Sequence, residues 1–189
     1  MKRLLLFGSV ILLGLGMGEA SASGEGSLMF GRSFVGDFHL EDHANFGGTL
    51  GAYSGPLGVE FGVDYLPVTD FAVGSLGFGA SLWNLMGNVI VQIPIGPIVP
   101  FGTVGYGAVI ADANSDPEGD DFLGTFGALN YGFGAKVFFS DPFGVRIDYR
   151  RFAVQAGDDD ADLRIPLTDE RIESDPDFNR LMFGVVFRW

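Results

Sequence analysis

Seven charged side chains stand at alternate positions in segments that are otherwise apolar or rich in glycine: Glu60 and Asp64, Lys136, Arg146, Asp148 and Arg150, and Arg188. An extended chain turns successive side chains to opposite faces, so each of these charges lies opposite an apolar neighbour. Three acids and four bases would then share one environment. If that environment is enclosed, they must pair, because an unpaired buried charge is very costly. Two chemistries are compatible with such a set: an ion-pair network that fills and fixes an interior, or a gated polar pathway. A bore narrow enough to be filled by its own side chains favours the network.

Other residues with chemical potential are fewer. His39 and His43 flank Glu41 and Asp42. A histidine acting as general base needs a nucleophile within reach, and no His-x-Ser or Asp-Ser pair occurs; the nearest hydroxyls, Ser33 and Thr49, hold no marked position. No catalytic residue is assigned. Asp158, Asp160 and Asp162 have the alternate spacing of a calcium loop, but Leu163 occupies the place of the tight-turn glycine, so no specific metal site is expected. Gly77-Phe78-Gly79 and Gly102-Thr103-Val104-Gly105 are not followed by Lys-Ser/Thr and do not open a helix. They read as strand glycines, and no cofactor is expected.

The elements that must position these residues are set by the chain ends and by periodicity. Met1, Lys2 and Arg3 precede an uncharged apolar run from Leu4 to Gly18, and Ala20-Ser21-Ala22 supplies the small residues a signal peptidase reads. The run is shorter than the roughly 20 residues a spanning helix needs. Residues 1–22 are therefore expected to be a cleaved signal peptide and residues 23–189 the mature domain. The mature chain keeps 9 basic and 23 acidic side chains, a net charge of 9 − 23 = −14. This excludes a nucleic-acid partner, which requires clustered bases. With no cysteine, neither a disulfide nor a lipid-bearing cysteine can stabilise or anchor it.

From residue 45 onward the hydrophobic period is two. Val59, Phe61, Val63 and Tyr65 oppose Glu60, Gly62 and Asp64; Val145, Ile147 and Tyr149 oppose Arg146, Asp148 and Arg150. The polar face also carries glycines, as in Thr103, Gly105 and Gly107, or Asn130, Gly132, Gly134 and Lys136. Glycine is a poor choice for a strand face in water, but it suits the crowded interior of a narrow barrel. The aromatic face then meets lipid. Proline-containing turns at Ser54–Gly58, Gly96–Ile98 and Ser140–Gly144 alternate with longer stretches near residues 39–44, 67–79, 112–123 and 158–177. Eight strands result, at about 28–38, 45–54, 58–66, 80–95, 98–111, 124–139, 144–157 and 179–189, an even number that puts both termini and all tight turns on the periplasmic side. Gly31, Gly36, Gly87 and Pro94 interrupt the patterns of the first and fourth strands.

The last segment places Leu181, Phe183, Val185, Phe187 and Trp189 on one face. This ending, with its terminal aromatic, resembles the assembly signal of outer-membrane barrels, and the mature chain resembles the OmpA/OmpX-type small outer-membrane β-barrel superfamily. The resemblance implies an all-β, eight-stranded antiparallel up-and-down transmembrane barrel in the outer membrane of a Gram-negative bacterium, folded by the barrel-assembly machinery. With the chain stopping at the eighth strand, no C-terminal peptidoglycan-binding domain is expected. Of the mature acids, 14 fall in two stretches, Asp112–Asp121 and Asp158–Asp177, on the expected outer side. There they face outer-membrane lipid and lipopolysaccharide, and like charges repel unless divalent cations are bound weakly between them. The expected role is non-enzymatic, structural or surface-interacting. Three alternatives stand beside it: a narrow channel for small or hydrophobic solutes, a lipid-modifying enzyme of the kind found among small outer-membrane barrels, and a soluble periplasmic β-sandwich.

Overall fold

The computed structural model describes residues 23–34, 43–73, 76–114, 123–155 and 177–189; the expected signal peptide lies outside them. Eight strands follow one another as β1 (Ser23–Phe34), β2 (His43–Ser54), β3 (Leu57–Val73), β4 (Leu76–Gln92), β5 (Ile98–Asn114), β6 (Leu123–Phe138), β7 (Phe143–Gln155) and β8 (Asp177–Arg188). Each pairs antiparallel with its sequence neighbours, and β1 pairs with β8 to close the barrel. Closure removes every unpaired strand edge, the condition for a sheet to exist in hydrocarbon.

The register fixes the shape. Pairing followed around the barrel from Phe34 passes through Asn179, Arg151, Tyr131, Val104, Val89, Val59 and Ala52 and returns to β1 at Gly24. One circuit therefore displaces the register by 34 − 24 = 10 residues. For eight strands about 4.8 Å apart that rise about 3.3 Å per residue, this stagger gives a tilt of about 41° and a backbone radius of about 8 Å. Such a cylinder has room for side chains and little else.

The two faces separate as the alternation requires. Outside, Leu28, Phe30, Leu50, Phe61, Val89, Val104, Phe133, Val145, Phe183 and Val185 are exposed all round the barrel. An apolar belt of that extent is untenable in water and natural in lipid. Aromatic pairs mark its two rims: Tyr65 and Trp83 near the outer end, ring centroids 4.7 Å apart, and Phe143 with Phe187 near the periplasmic end, 5.2 Å apart. Inside, large rings lie across glycines of their own and of neighbouring strands. A Cβ at Gly51 would come within 2.8 Å of the Tyr53 ring, and one at Gly58 would run into it.

Strand boundaries differ from expectation most in β1 and in the β3–β4 hairpin. β1 begins at Ser23, five residues early, because Ser23–Ser27 has no apolar residue to set a phase, although its backbone pairs with β2 and β8. The stretch 67–79, expected to be a loop, instead continues β3 and β4, whose pairing reaches Val73↔Leu76 with a register irregularity between Val68 and Phe71. Proline disfavours a strand interior, yet Pro67 pairs with Ser81 inside the ladder. β4 correspondingly ends at Gln92, and Ile93–Pro97 turns the chain toward β5.

Candidate functional site: a buried ion-pair network

The inward face of β3 carries Glu60 and Asp64, that of β6 carries Lys136, and that of β7 carries Arg146, Asp148 and Arg150, all buried. Period-two alternation places Arg146, Asp148 and Arg150 one above another on the same face. Arg146 donates from Nη1 to Glu60 Oε2 at 2.5 Å and from Nη2 to Asp148 Oδ2 at 2.7 Å. Arg150 donates from Nε to Asp148 Oδ1 at 2.8 Å and from Nη2 to Glu60 Oε1 at 2.7 Å. Two carboxylates and two guanidiniums thus form a closed four-membered arrangement across the bore, and forked guanidinium geometry suits it. The Tyr53 hydroxyl donates to Glu60 Oε2 at 3.2 Å, and Arg146 also donates to Thr49 Oγ1 at 3.3 Å.

Two further pairs extend the network along the axis. Toward the periplasm, the Lys136 ammonium pairs with Glu25, donates to Gln92 Oε1 at 3.0 Å and lies 4.0 Å above the Tyr53 ring. Toward the outer end, Arg180 pairs with Asp64 and stacks 4.7 Å above Phe152, which itself stacks on Phe178. Apolar layers cover both ends. Leu66, Leu82, Met86, Val109, Phe126, Phe152, Val154 and Phe178 cluster on the outer side, and Val99, Phe138 and Val186 on the periplasmic side.

Six of the seven charges read from the sequence are brought together in this interior. Arg188 is not. It keeps the inward phase of β8, but the strand ends there, at the barrel mouth, where its guanidinium lies 4.1 Å over the Phe138 ring and 3.2 Å from an exposed Asp141. Its place as an interior base belongs to Arg180, eight residues earlier on the same face, and Glu25 is the acid the alternation did not reveal. The C-terminal set Leu181, Phe183, Val185, Phe187 and Trp189 forms the outward face of β8, with Phe187 and Trp189 stacked at 5.8 Å. Among the described residues no group of three or more His, Asp or Glu side chains could hold a metal ion. His39 and most of the two acidic stretches lie outside the described residues, and His43 opens β2 opposite Ser33.

The family described as outer membrane protein beta-barrel domain matches residues 9–188. The chain belongs to that family. Solved structures agree on the fold. Neisserial surface protein A is 13% identical, with a TM-score of 0.58 over 89% of this chain and 97% of that one. The N-terminal β-barrel domain of Pseudomonas aeruginosa OprF is 15% identical, with a TM-score of 0.54 over 89% and 97%. The attachment invasion locus protein Ail of Yersinia pestis, in complex with the heparin analogue sucrose octasulfate, is 13% identical, with a TM-score of 0.55 over 89% and 97%. No curated protein matches the sequence. The barrel is therefore of the outer-membrane type, and the soluble sandwich is excluded by its closed sheet and its apolar outer belt.

Proposed function

We propose that this barrel is a closed, non-enzymatic outer-membrane protein that acts as a rigid anchor for surface interaction through its acidic outer connections. The observation that carries the reading is the buried interior: Glu60, Lys136, Arg146, Asp148 and Arg150 are each at most 3% exposed and capped by an apolar layer at either end. Among the described residues a bore so filled offers no route to a solute, which points to the outer rim as the place of contact. The acids between β5 and β6 and between β7 and β8 give that rim a strong negative charge. Such a rim suits cationic partners, or weakly held divalent cations shared with lipopolysaccharide, in contrast to the polyanion seen with Ail.

The test uses the refolded mature chain. In planar bilayers no stable conductance is expected, and reproducible conductance steps would support the channel alternative instead. Calorimetric titration with Ca²⁺ is expected to show weak binding that diminishes progressively as acids of the stretches Asp112–Asp121 and Asp158–Asp177 are replaced by their amides. An absence of heat with the parent chain removes the cation-bridged role.

A further inference from the structure

Short turns join β2 to β3, β4 to β5 and β6 to β7 at the periplasmic end, but β8 and β1 are the last and first strands and no turn joins them. Their seam begins along Ser23–Ser27, a segment with two glycines and no apolar side chain. Glycine loses more freedom on ordering than any other residue, and strand ends open locally at little cost. The ladder alone holds such an end weakly.

Two contacts on opposite faces of the same three residues add to it. Outside, Trp189 lies across the glycines: a Cβ at Gly24 would run into the indole, and one at Gly26 would stand 3.5 Å from its Cζ3. The Gly24 amide donates to the Trp189 carbonyl oxygen at 3.0 Å, and the Trp189 amide donates to the Gly24 carbonyl oxygen at 3.0 Å. Phe187 stacks on Trp189 and stands 5.2 Å from Phe143, which ties the indole to β7 as well. A glycine that faces acyl chains leaves its peptide groups uncovered, and a peptide group that loses its partner in hydrocarbon costs several kcal/mol. The indole is the cover. Inside, Glu25 stands between the two glycines, points into the bore and pairs with Lys136. If β1 left β8 here, Lys136 would stay fully buried without its carboxylate.

We propose that Trp189 is the clasp of the barrel: seated on Gly24 and Gly26, its indole keeps Ser23–Ser27 on β8 and, through them, Glu25 on Lys136. Displacing the indole makes this seam the first part of the wall to open, and it opens at Lys136. The clasp acts at the end opposite the acidic connections, so it holds whatever they bind.

Lys136 is the only lysine of residues 23–189, so an amine-reactive label mapped by peptide mass reads opening at that point directly. The test compares the refolded mature chain in detergent micelles with Trp189→Ala, Gly24→Ala and Gly26→Ala. Trp189→Ala removes the indole. Gly24→Ala displaces it while otherwise favouring the strand, since alanine orders at less cost than glycine. Both are expected to label Lys136 about tenfold faster than the parent and to speed hydrogen exchange of the seam amides at positions 24, 26 and 187 by a similar factor, with the amides of Val89 and Val104 unchanged. Gly26→Ala, whose Cβ makes only ordinary contact with the ring, is expected to behave as the parent. If Trp189→Ala fails to refold, Gly24→Ala, which keeps every side chain of the parent, carries the comparison. Labelling and seam exchange at the parent rate in Trp189→Ala overturn the proposal. So does an acceleration shared equally by Val89 and Val104, which would make the indole one more contributor to overall stability.

Discussion

Glu60→Gln removes one negative charge from the middle of the barrel with almost no change of shape. In the parent chain the interior acids are Glu25, Glu60, Asp64 and Asp148 and the interior bases Lys136, Arg146, Arg150 and Arg180, a balance of 4 − 4 = 0. Glu60 accepts from Arg146 at 2.5 and 3.2 Å and from Arg150 at 2.7 Å. Without its charge, two guanidiniums face the single carboxylate of Asp148 and the interior carries a net positive charge. Leaving a buried ion without its partner costs about 3–5 kcal/mol. With a urea slope of about 2 kcal/mol/M, the unfolding midpoint should fall by about 1.5–2.5 M. The assay is urea unfolding of the barrel refolded in detergent micelles, followed by tryptophan fluorescence from Trp83 and Trp189 and by the heat-dependent shift in gel mobility. The double variant Glu60→Gln/Arg146→Met leaves Asp148 and Arg150 as a neutral pair and should recover more than half of the loss. A midpoint shift below about 0.5 M for Glu60→Gln, or a double variant no better than the single one, would refute the reasoning, because it would mean that water already screens the bore.

Val89→Lys tests which face meets lipid: Val89 is 49% exposed, near mid-height on β4, and the substitution should destabilise the barrel by about 2–4 kcal/mol in vesicles, where an exposed valine of a soluble protein would tolerate it within about 0.5 kcal/mol. Gly58→Ala should cost about 1–3 kcal/mol because its Cβ runs into the Tyr53 ring, whereas Gly102→Ala, whose nearest neighbour is the Gly132 carbonyl oxygen at 4.0 Å, should be close to neutral; urea midpoints of the two variants make the comparison. Trp83→Leu removes the ring paired with Tyr65 at the outer rim and should lose about 0.5–1.5 kcal/mol beyond the area term, measured the same way.

Strand phase was legible wherever apolar residues alternate with anything else, as in Gly58–Tyr65 and Gly144–Arg150, because a single step of slip would turn every side chain to the wrong face. Glu25 was not legible. Its neighbours are Gly24 and Gly26, and only pairing with β2 and β8 shows that it points inward. Which charges meet was also out of reach, since partners on non-adjacent strands are chosen by the stagger of the whole sheet. Lys136 faces Glu25 across a barrel closed with a ten-residue displacement, and 111 positions separate the two in the chain. Arg188 and Arg180 are equivalent by alternation. What separates them is height: one lies at a rim and the other at the level of Asp64.

The composition that first looks odd, 30 glycines beside 19 phenylalanines, follows from the radius. A cylinder of about 8 Å cannot hold large side chains facing each other on every strand. Where a large group crosses the bore, the strand beside it supplies a glycine: Tyr53 lies over Gly58, Phe101 over Gly134, and Met29 over Gly184. The rings so placed also carry the charges, with Lys136 above Tyr53 and Arg146 4.7 Å above Phe101, so desolvated cations are stabilised by aromatic faces as well as by carboxylates. Packing and charge neutrality are thus one arrangement, and loosening either loosens both. An interior built this way resists opening.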